Sequence, residues 1–410
     1  MRRTGDLKLI QELNRFIVLN TIREDGPISR SEIARNNNIS PTTVTSAVKG
    51  LIMEGLVTEN GTGVSRGGRK PILLRFSPDN HFIIGVSISN SMITIARMNL
   101  EAEVREKKTY FIKKLKGQSV IDYLLLLIDQ FLNLYIKTKN KCIGISVITQ
   151  GVVDYANGEI SYNPKLKLKN IRLKKLIENK FSIETWVEND TNAYIIAEKS
   201  FGSFRDYENI LYVTIGEGLG AGIVINGLVN RGSNGAAGEF GHTSISKEGI
   251  KCECGNVGCL ENYVSWPAMY SRVVSSIVKG KYTEMIDLAD GNMEQISPFY
   301  FNKALDNNDE LAVDVIQEIA SYLSTGLINL AHLFNPEIII IGGETVYQNN
   351  YFIELINKKV RRGILDVLNK DIQIQPSSLG EEYEMIGASS VLLHDMFQFK
   401  LHHQTKKVNT

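Results

Sequence analysis

Apolar residues recur along this chain with two different periods, and the places where the period changes mark its elements. Between Asn14 and Asn60 the spacing predicts three short helices. The first turns Phe16, Ile17, Leu19 and Ile22 inward, with Asn20 in the same stripe. After the Asp25-Gly26-Pro27 break, Ser29 stands in the N-cap position of a second helix, and Glu32 three residues on completes a capping box. A polar turn, Asn36 to Ile39, leads to Ser40-Pro41, a cap followed by a proline suited to the first helical position. Val44, Val48, Leu51 and Ile52 give this third helix its inner face and leave Thr42, Thr43, Thr45, Ser46 and Lys49 outside. Two short helices at a turn, the second hydroxyl-rich near its start, fit a helix-turn-helix reader of DNA; an ordinary helical hairpin fits the same pattern.

The next elements alternate with period two. Leu56 to Glu59 and Ile72 to Phe76 read as partner strands, joined by a loop, 61–71, rich in glycine and arginine. Such a loop fits the wing of a winged helix, with Arg69-Lys70-Pro71 suited to a narrow minor groove; solvated loop charge is the competing reading. From Phe82 onward strands and helices alternate, which predicts an α/β body. Strands are expected at Ile83–Ile88, Met92–Met98, Cys142–Val147, Ile210–Ile215, Ala221–Ile225 and Glu337–Ile341. Helices are expected at Val120–Ile136, Asn192–Lys199, Glu310–Phe334 and Met385–Phe397.

Charge sharpens this division. The net charge of the 410 residues is only +1, yet residues 1–75 carry +5 and the remainder −4. A basic head on a mildly acidic body fits one part that meets a polyanion and another that meets something neutral. No run of eighteen apolar residues is visible, and Met1-Arg2-Arg3 leads into polar sequence, so no membrane partner and a cytoplasmic location are expected.

Three of the four cysteines fall close together. His242 is followed by Cys252, Cys254 and Cys259, four donors within eighteen positions and with glycines at the bends. Cys₃His is a donor set for a closed tetrahedral Zn²⁺ site; one disulfide plus a spare thiol is the other reading of the same spacing. Glu239 and Glu261 flank the knot without being needed as ligands, which points to a platform for hydroxyl groups. The fourth, Cys142, is expected to be a buried strand residue. A second constellation, Glu188-Asn189-Asp190-Thr191-Asn192, sets a carboxylate beside amides, suited either to a polyol or to a helix cap.

The run Gly238-Glu239-Phe240-Gly241-His242 followed by Cys252-Glu253-Cys254-Gly255-Asn256-Val257-Gly258-Cys259-Leu260-Glu261 resembles the signature of the ROK family of repressors and sugar kinases. That resemblance implies structural zinc on His242, Cys252, Cys254 and Cys259. It also implies sugar hydroxyls on Asn189, Asp190, Glu239, His242 and Glu261, the aspartate being the general base in the family's kinases. The fold it implies is α/β, a winged helix-turn-helix head followed by a two-lobed actin-like, hexokinase-like body. The head is expected over 1–75, the first lobe over 76–200 with 385–410, and the second lobe, with the zinc-binding loop, over 201–384.

The family's kinases cradle phosphate on a first-strand turn with an aspartate and paired glycines. Here Gly85 to Met92 has neither, and Glu217 sits in the second phosphate loop where those kinases have a small hydroxyl residue. The expected protein is therefore not an enzyme but a sugar-responsive repressor of carbohydrate-utilisation genes, similar to the xylose repressors. It would be a homo-oligomer, at least a dimer, with operator DNA and a small sugar as partners. Candidate DNA contacts are Thr42, Thr43, Ser46, Lys49, Arg66, Arg69 and Lys70. The rival readings are a sugar kinase that carries a DNA-binding head, and a repressor governed by a transport-system protein.

Overall fold

The computed structural model describes residues 7–63, 70–112, 114–135, 141–346, 349–369 and 372–397. The head opens with a helix, Leu7–Asp25, that begins seven residues earlier than the apolar stripe predicts. Its inner face is Val18, Leu19 and Ile22, while Phe16 and Ile17 are only half-buried. Helix Arg30–Asn36 carries the capping box: Ser29 Oγ accepts from the Glu32 amide at 3.3 Å, and Glu32 Oε2 accepts from the Ser29 amide at 3.0 Å. Helix Pro41–Met53 is capped by Ser40, whose Oγ accepts from the Thr43 amide at 3.1 Å. Strands Val57–Thr62 and Ile72–Phe76 form an antiparallel hairpin, with Ile28–Ser29 on its other edge.

The head's core does not close on itself. Val18, Ile22, Leu51, Leu74 and Phe76 share one apolar cluster with Met98 and Leu100 of the body and with Leu392, Leu393 and Phe397 of the last helix.

The body repeats one connectivity twice. The first sheet runs, in space, Val104–Phe111, Met92–Met98, Phe82–Ile88, Cys142–Thr149, Thr185–Asn189. The second runs Leu228–Val229, Leu219–Ile225, Ile210–Ile215, Ile338–Gly342, Gln373–Pro376. In each, three strands form an antiparallel meander and two more join in parallel through crossovers. The parallel strand Ile338-Ile339-Ile340-Ile341 is buried throughout, as expected where helices cover both faces. This duplicated sheet is the two-lobed, hexokinase-like architecture, preceded by a winged helix-turn-helix.

Helix Asp190–Ser200 is the central piece. Residues 190–198 are all buried, because the helix packs against the last helix, Tyr383–Phe397, on one side and strands Ile210–Ile215 and Leu219–Ile225 on the other. Ala193, Tyr194 and Ile195 meet Tyr212, Ile340 and Val391 in a cluster that joins the lobes. Helix Glu310–Phe334 is long and apolar enough to cross a membrane by length and composition alone, although polar residues interrupt it and it holds no run of eighteen apolar residues. Its apolar side, including Leu311, Val315, Ile319, Leu323 and Leu327, is core of the second lobe. Cys142 is half-buried at the first position of its strand rather than buried.

Candidate functional site

The loop after Gly238 folds four soft donors toward one point. Phe240–His242 makes a single 3-10 turn, and the bridges Ser244 to Cys259 and Lys251 to Val257 bring the cysteine run back beside it. The ligand atoms of His242, Cys252, Cys254 and Cys259 all lie within 4.8 Å of one another. His242 Nδ1 is 3.8 Å from Cys252 Sγ, and Cys254 Sγ is 3.6 Å from Cys259 Sγ. A tetrahedron with Zn–S bonds of about 2.3 Å has edges of about 3.8 Å, whereas a disulfide needs about 2.05 Å. The thiols are free, so the disulfide reading fails and the set fits a four-coordinate cation. Burial and the neighbouring thiols push the Cys259 thiol up to about 12, a proton that a bound cation displaces.

The same histidine faces two ways. With Nδ1 among the thiols, Nε2 stands 3.8 Å from Glu239 Oε2. Glu239 follows Gly238, whose φ of +88° and position against Ala221 leave no room for a side chain: an added Cβ would lie 1.8 Å from the Ala221 carbonyl oxygen. Burial raises the Glu239 carboxyl above its usual value, with His242 opposing and Glu261 adding to the rise. Glu261 Oε2 accepts from the Leu219 amide at 3.1 Å, and its Oε1 is 3.6 Å from Lys165 Nζ.

Asp190 begins the buried central helix and is 9% exposed. One oxygen, Oδ1, accepts from the Thr191 amide at 2.8 Å and from the Thr191 hydroxyl at 3.3 Å. Burial pushes the carboxyl up to about 6, against the pull of the Thr191 hydrogen bonds, and Glu239 adds to the rise. Asp190, Glu239, His242 and Glu261 thus share one electrostatic neighbourhood. Asn189 is the exception among the predicted sugar residues. It is the helix cap: Oδ1 accepts from the Asn192 amide at 3.1 Å and Nδ2 donates to the Gly151 carbonyl at 3.0 Å. One N–H remains to its amide nitrogen for any other partner.

Several residues here escaped the sequence reading. Lys165 reaches from the first lobe to Glu261 and donates to the Glu217 carbonyl at 2.9 Å. Arg231 meets Glu188, which the second constellation names but leaves without a partner and which is fully buried. Glu217 is joined by Glu344, and Glu344 by Glu384. Burial, then Glu217, raises the Glu344 carboxyl. Burial, then Glu344 and Asp190, pushes Glu384 up to about 7. Only the tertiary structure assembles that acidic wall, since its members lie in a turn after Ile215, in the turn Glu344–Val346 and on the last helix.

On the head, Thr42, Ser46 and Lys49 are exposed at i, i+4 and i+7 of one helix face. Thr43 is half-buried, and its hydroxyl lies 2.8 Å from that of Ser40, inside the cap. Lys70 is exposed where the hairpin resumes; Arg66 and Arg69 lie outside the described residues.

Comparison with known proteins accords with both halves. The model of the ROK family matches residues 83–395, and that of the MarR family matches residues 12–59. The xylose repressor of Caldicellulosiruptor bescii is 30% identical over 396 residues, covering 96% of this chain and 99% of its own length. The DNA-binding transcriptional dual regulator NagC of Escherichia coli K12 is 31% identical over 392 residues, covering 96% and 95% respectively. The crystal structure of a ROK family transcriptional regulator, a homolog of the E. coli MLC protein, superposes with a TM-score of 0.81 at 30% identity, over 95% of this chain and 97% of the other.

Proposed function

The chain belongs to the ROK family, and from that premise we propose that it is a sugar-responsive transcriptional repressor of carbohydrate-utilisation genes, released from its operator when a sugar binds between the lobes. One juxtaposition carries the reading: a helix-turn-helix head shares its core with a cleft that gathers acceptors for hydroxyls and walls off phosphate.

Asp190 Oδ2, Glu239, Glu261 and the Nε2 edge of His242 bind the sugar hydroxyls, with Asn189 contributing its remaining N–H. His242, Cys252, Cys254 and Cys259 hold Zn²⁺. When bound, the ion supplies a closed, four-coordinate staple rather than catalysis, because every position is taken by protein. His242 then keeps its ring orientation, and the turn Phe240–His242 keeps Glu239 facing the cleft.

Glu217 opposes a triphosphate by like charge, and the buried Glu344 and Glu384 beside it offer phosphate oxygens no cation. Phosphoryl transfer is therefore absent. The names of the relatives make D-xylose the first effector to test and N-acetylglucosamine the second. Thr42, Ser46 and Lys49 face operator DNA, Thr43 supports them from the helix cap, and Arg66, Arg69 and Lys70 are further candidate contacts. The head acts in pairs on a two-fold operator, which requires at least a dimer working in the cytoplasm.

Calorimetry of the zinc-loaded protein with both sugars, followed by operator binding at saturating sugar, tests the proposal. Saturable binding of one sugar that weakens the operator complex supports it. ADP formation from ATP and that sugar, lost in Asp190→Asn, would overturn it in favour of a kinase.

A further inference from the structure

Glu188 is a carboxylate with no exposed surface, and a charge in such a place requires a partner. Its partner comes from the other lobe. Arg231 Nε and Nη2 both lie 2.6 Å from Glu188 Oε2. The second carboxylate oxygen, Oε1, accepts from the Asn189 amide at 2.9 Å and from Asn192 Nδ2 at 3.3 Å, so this pair frames the backbone that presents Asp190. On its own lobe Arg231 is tied to the other half of the cleft. Its carbonyl accepts from the Ala237 amide at 3.3 Å, two residues before Glu239. Moving Glu239 toward a ligand therefore moves the loop that carries Arg231.

The guanidinium continues the path. It lies 4.3 Å over the ring of Tyr155, whose hydroxyl donates to Asp395 Oδ2 at 2.7 Å. The same oxygen accepts from Trp186 Nε1 at 3.1 Å. Asp395 is in the last helix, two residues before Phe397, and Phe397 is embedded in the head. Its ring stands edge-on to Phe76 at 5.9 Å and lies under Arg23 at 4.2 Å; its carbonyl accepts from Asn20 Nδ2 at 3.1 Å. Asn20 and Arg23 belong to the first helix of the head, and Phe76 ends its second hairpin strand.

We propose that Arg231 and Tyr155 are positioning residues that sense closure of the sugar cleft and transmit it through Asp395 and Phe397 to the DNA-binding head. The proposal rests on the sugar-responsive reading given above and names its route. The links from Arg231 to Asp395 are directional contacts and the step from Asp395 to Phe397 runs along the last helix, so displacing Arg231 changes the hydrogen bond at Asp395 and the seat of Phe397 between the first helix and the hairpin. Contiguity alone does not establish coupling, and the test is therefore a mutant cycle.

The experiment uses the full-length, zinc-loaded chain, D-xylose and N-acetylglucosamine as probes, and an operator duplex selected from random DNA. Tyr155→Phe keeps the ring beneath Arg231 and removes the hydroxyl; Asp395→Asn keeps the shape and removes the charge. Both variants should bind the responsive sugar within about twofold of the unaltered chain. The ratio of operator dissociation constants with and without sugar, typically about 5- to 150-fold for such coupling, should fall below about threefold in each. The double variant should lose no more than either single one, because the two residues form one link. Sugar-dependent change in amide exchange across Leu7–Asp25 should disappear in Tyr155→Phe. Full operator release in both variants, or losses that add in the double variant, would overturn the relay while leaving the sugar reading intact. An unaltered chain that ignores both sugars overturns the sugar reading and takes the relay with it.

Discussion

Replacing Asp190 with asparagine should stabilise the sugar-free protein while abolishing its response, and the gain should depend on pH in a defined direction. In the unfolded chain this carboxyl loses its proton near 3.8; in the fold, burial holds the proton until about 6. Between those values the native state binds more protons than the unfolded state, so stability falls as pH rises, and the whole penalty is present above the folded value. A separation of about two pH units corresponds to about 3 kcal/mol. Below the unfolded value the penalty vanishes, and at pH 5 roughly half of it remains.

Asparagine retains the Oδ1 that accepts from the Thr191 amide and hydroxyl, so it removes the charge without removing the acceptor. Denaturant unfolding of both proteins at pH 5 and pH 8, taken as a difference at each pH, cancels titrations that the two share. The variant should be more stable by up to about 3 kcal/mol at pH 8 and by about half that at pH 5. The same preparation should show no sugar-dependent operator release, a trade of function for stability expected of a buried binding carboxylate. Equal or lower stability of the variant at pH 8, or a gain that does not shrink on acidification, refutes the reasoning.

Other perturbations test separate parts. Verified removal of zinc should abolish the sugar response, because the turn holding Glu239 and His242 loses its staple; metal analysis alongside calorimetry checks this. Gly238→Ala places a methyl group 1.8 Å from the Ala221 carbonyl at a φ of +88°, so sugar binding should be lost and stability should drop by more than about 1 kcal/mol. Ser40→Ala removes the cap of the recognition helix and should cost about 1 kcal/mol, read from thermal unfolding. Lys49→Ala should reduce the slope of log operator affinity against log salt by about 0.9 if Lys49 neutralises one phosphate.

Local signals were the legible ones. The long helix Glu310–Phe334 and the strands Ile72–Phe76 and Met92–Met98 have the bounds their periodicity predicts, since period depends only on neighbouring residues. Ser29 and Ser40 could be read as caps because a capping hydrogen bond spans three positions. The Cys₃His set was visible because its donors fall within eighteen positions and its glycines sit at the bends. Asn189 shows the limit of such reading: the same asparagine suits a polyol or a cap, and its hydrogen bonds serve the cap.

By itself, then, the order of residues determined the donor spacing of the knot, the head, the family and the more strongly periodic elements, because each depends on spacing along the chain or on a contiguous motif; helices Trp266–Val278 and Asn350–Gly363 are not among them. What only the tertiary structure decided is who meets whom over long separations: Arg231 with Glu188 and Lys165 with Glu261 between the lobes, Tyr155 with Asp395, and Glu344 with Glu217 and Glu384. Tyr155 and Asp395 are 240 positions apart, and nothing in either neighbourhood signals the other. Their contact depends on the last helix packing against strands Phe82–Ile88 and Cys142–Thr149 of the first sheet, a long-range arrangement that no local period encodes.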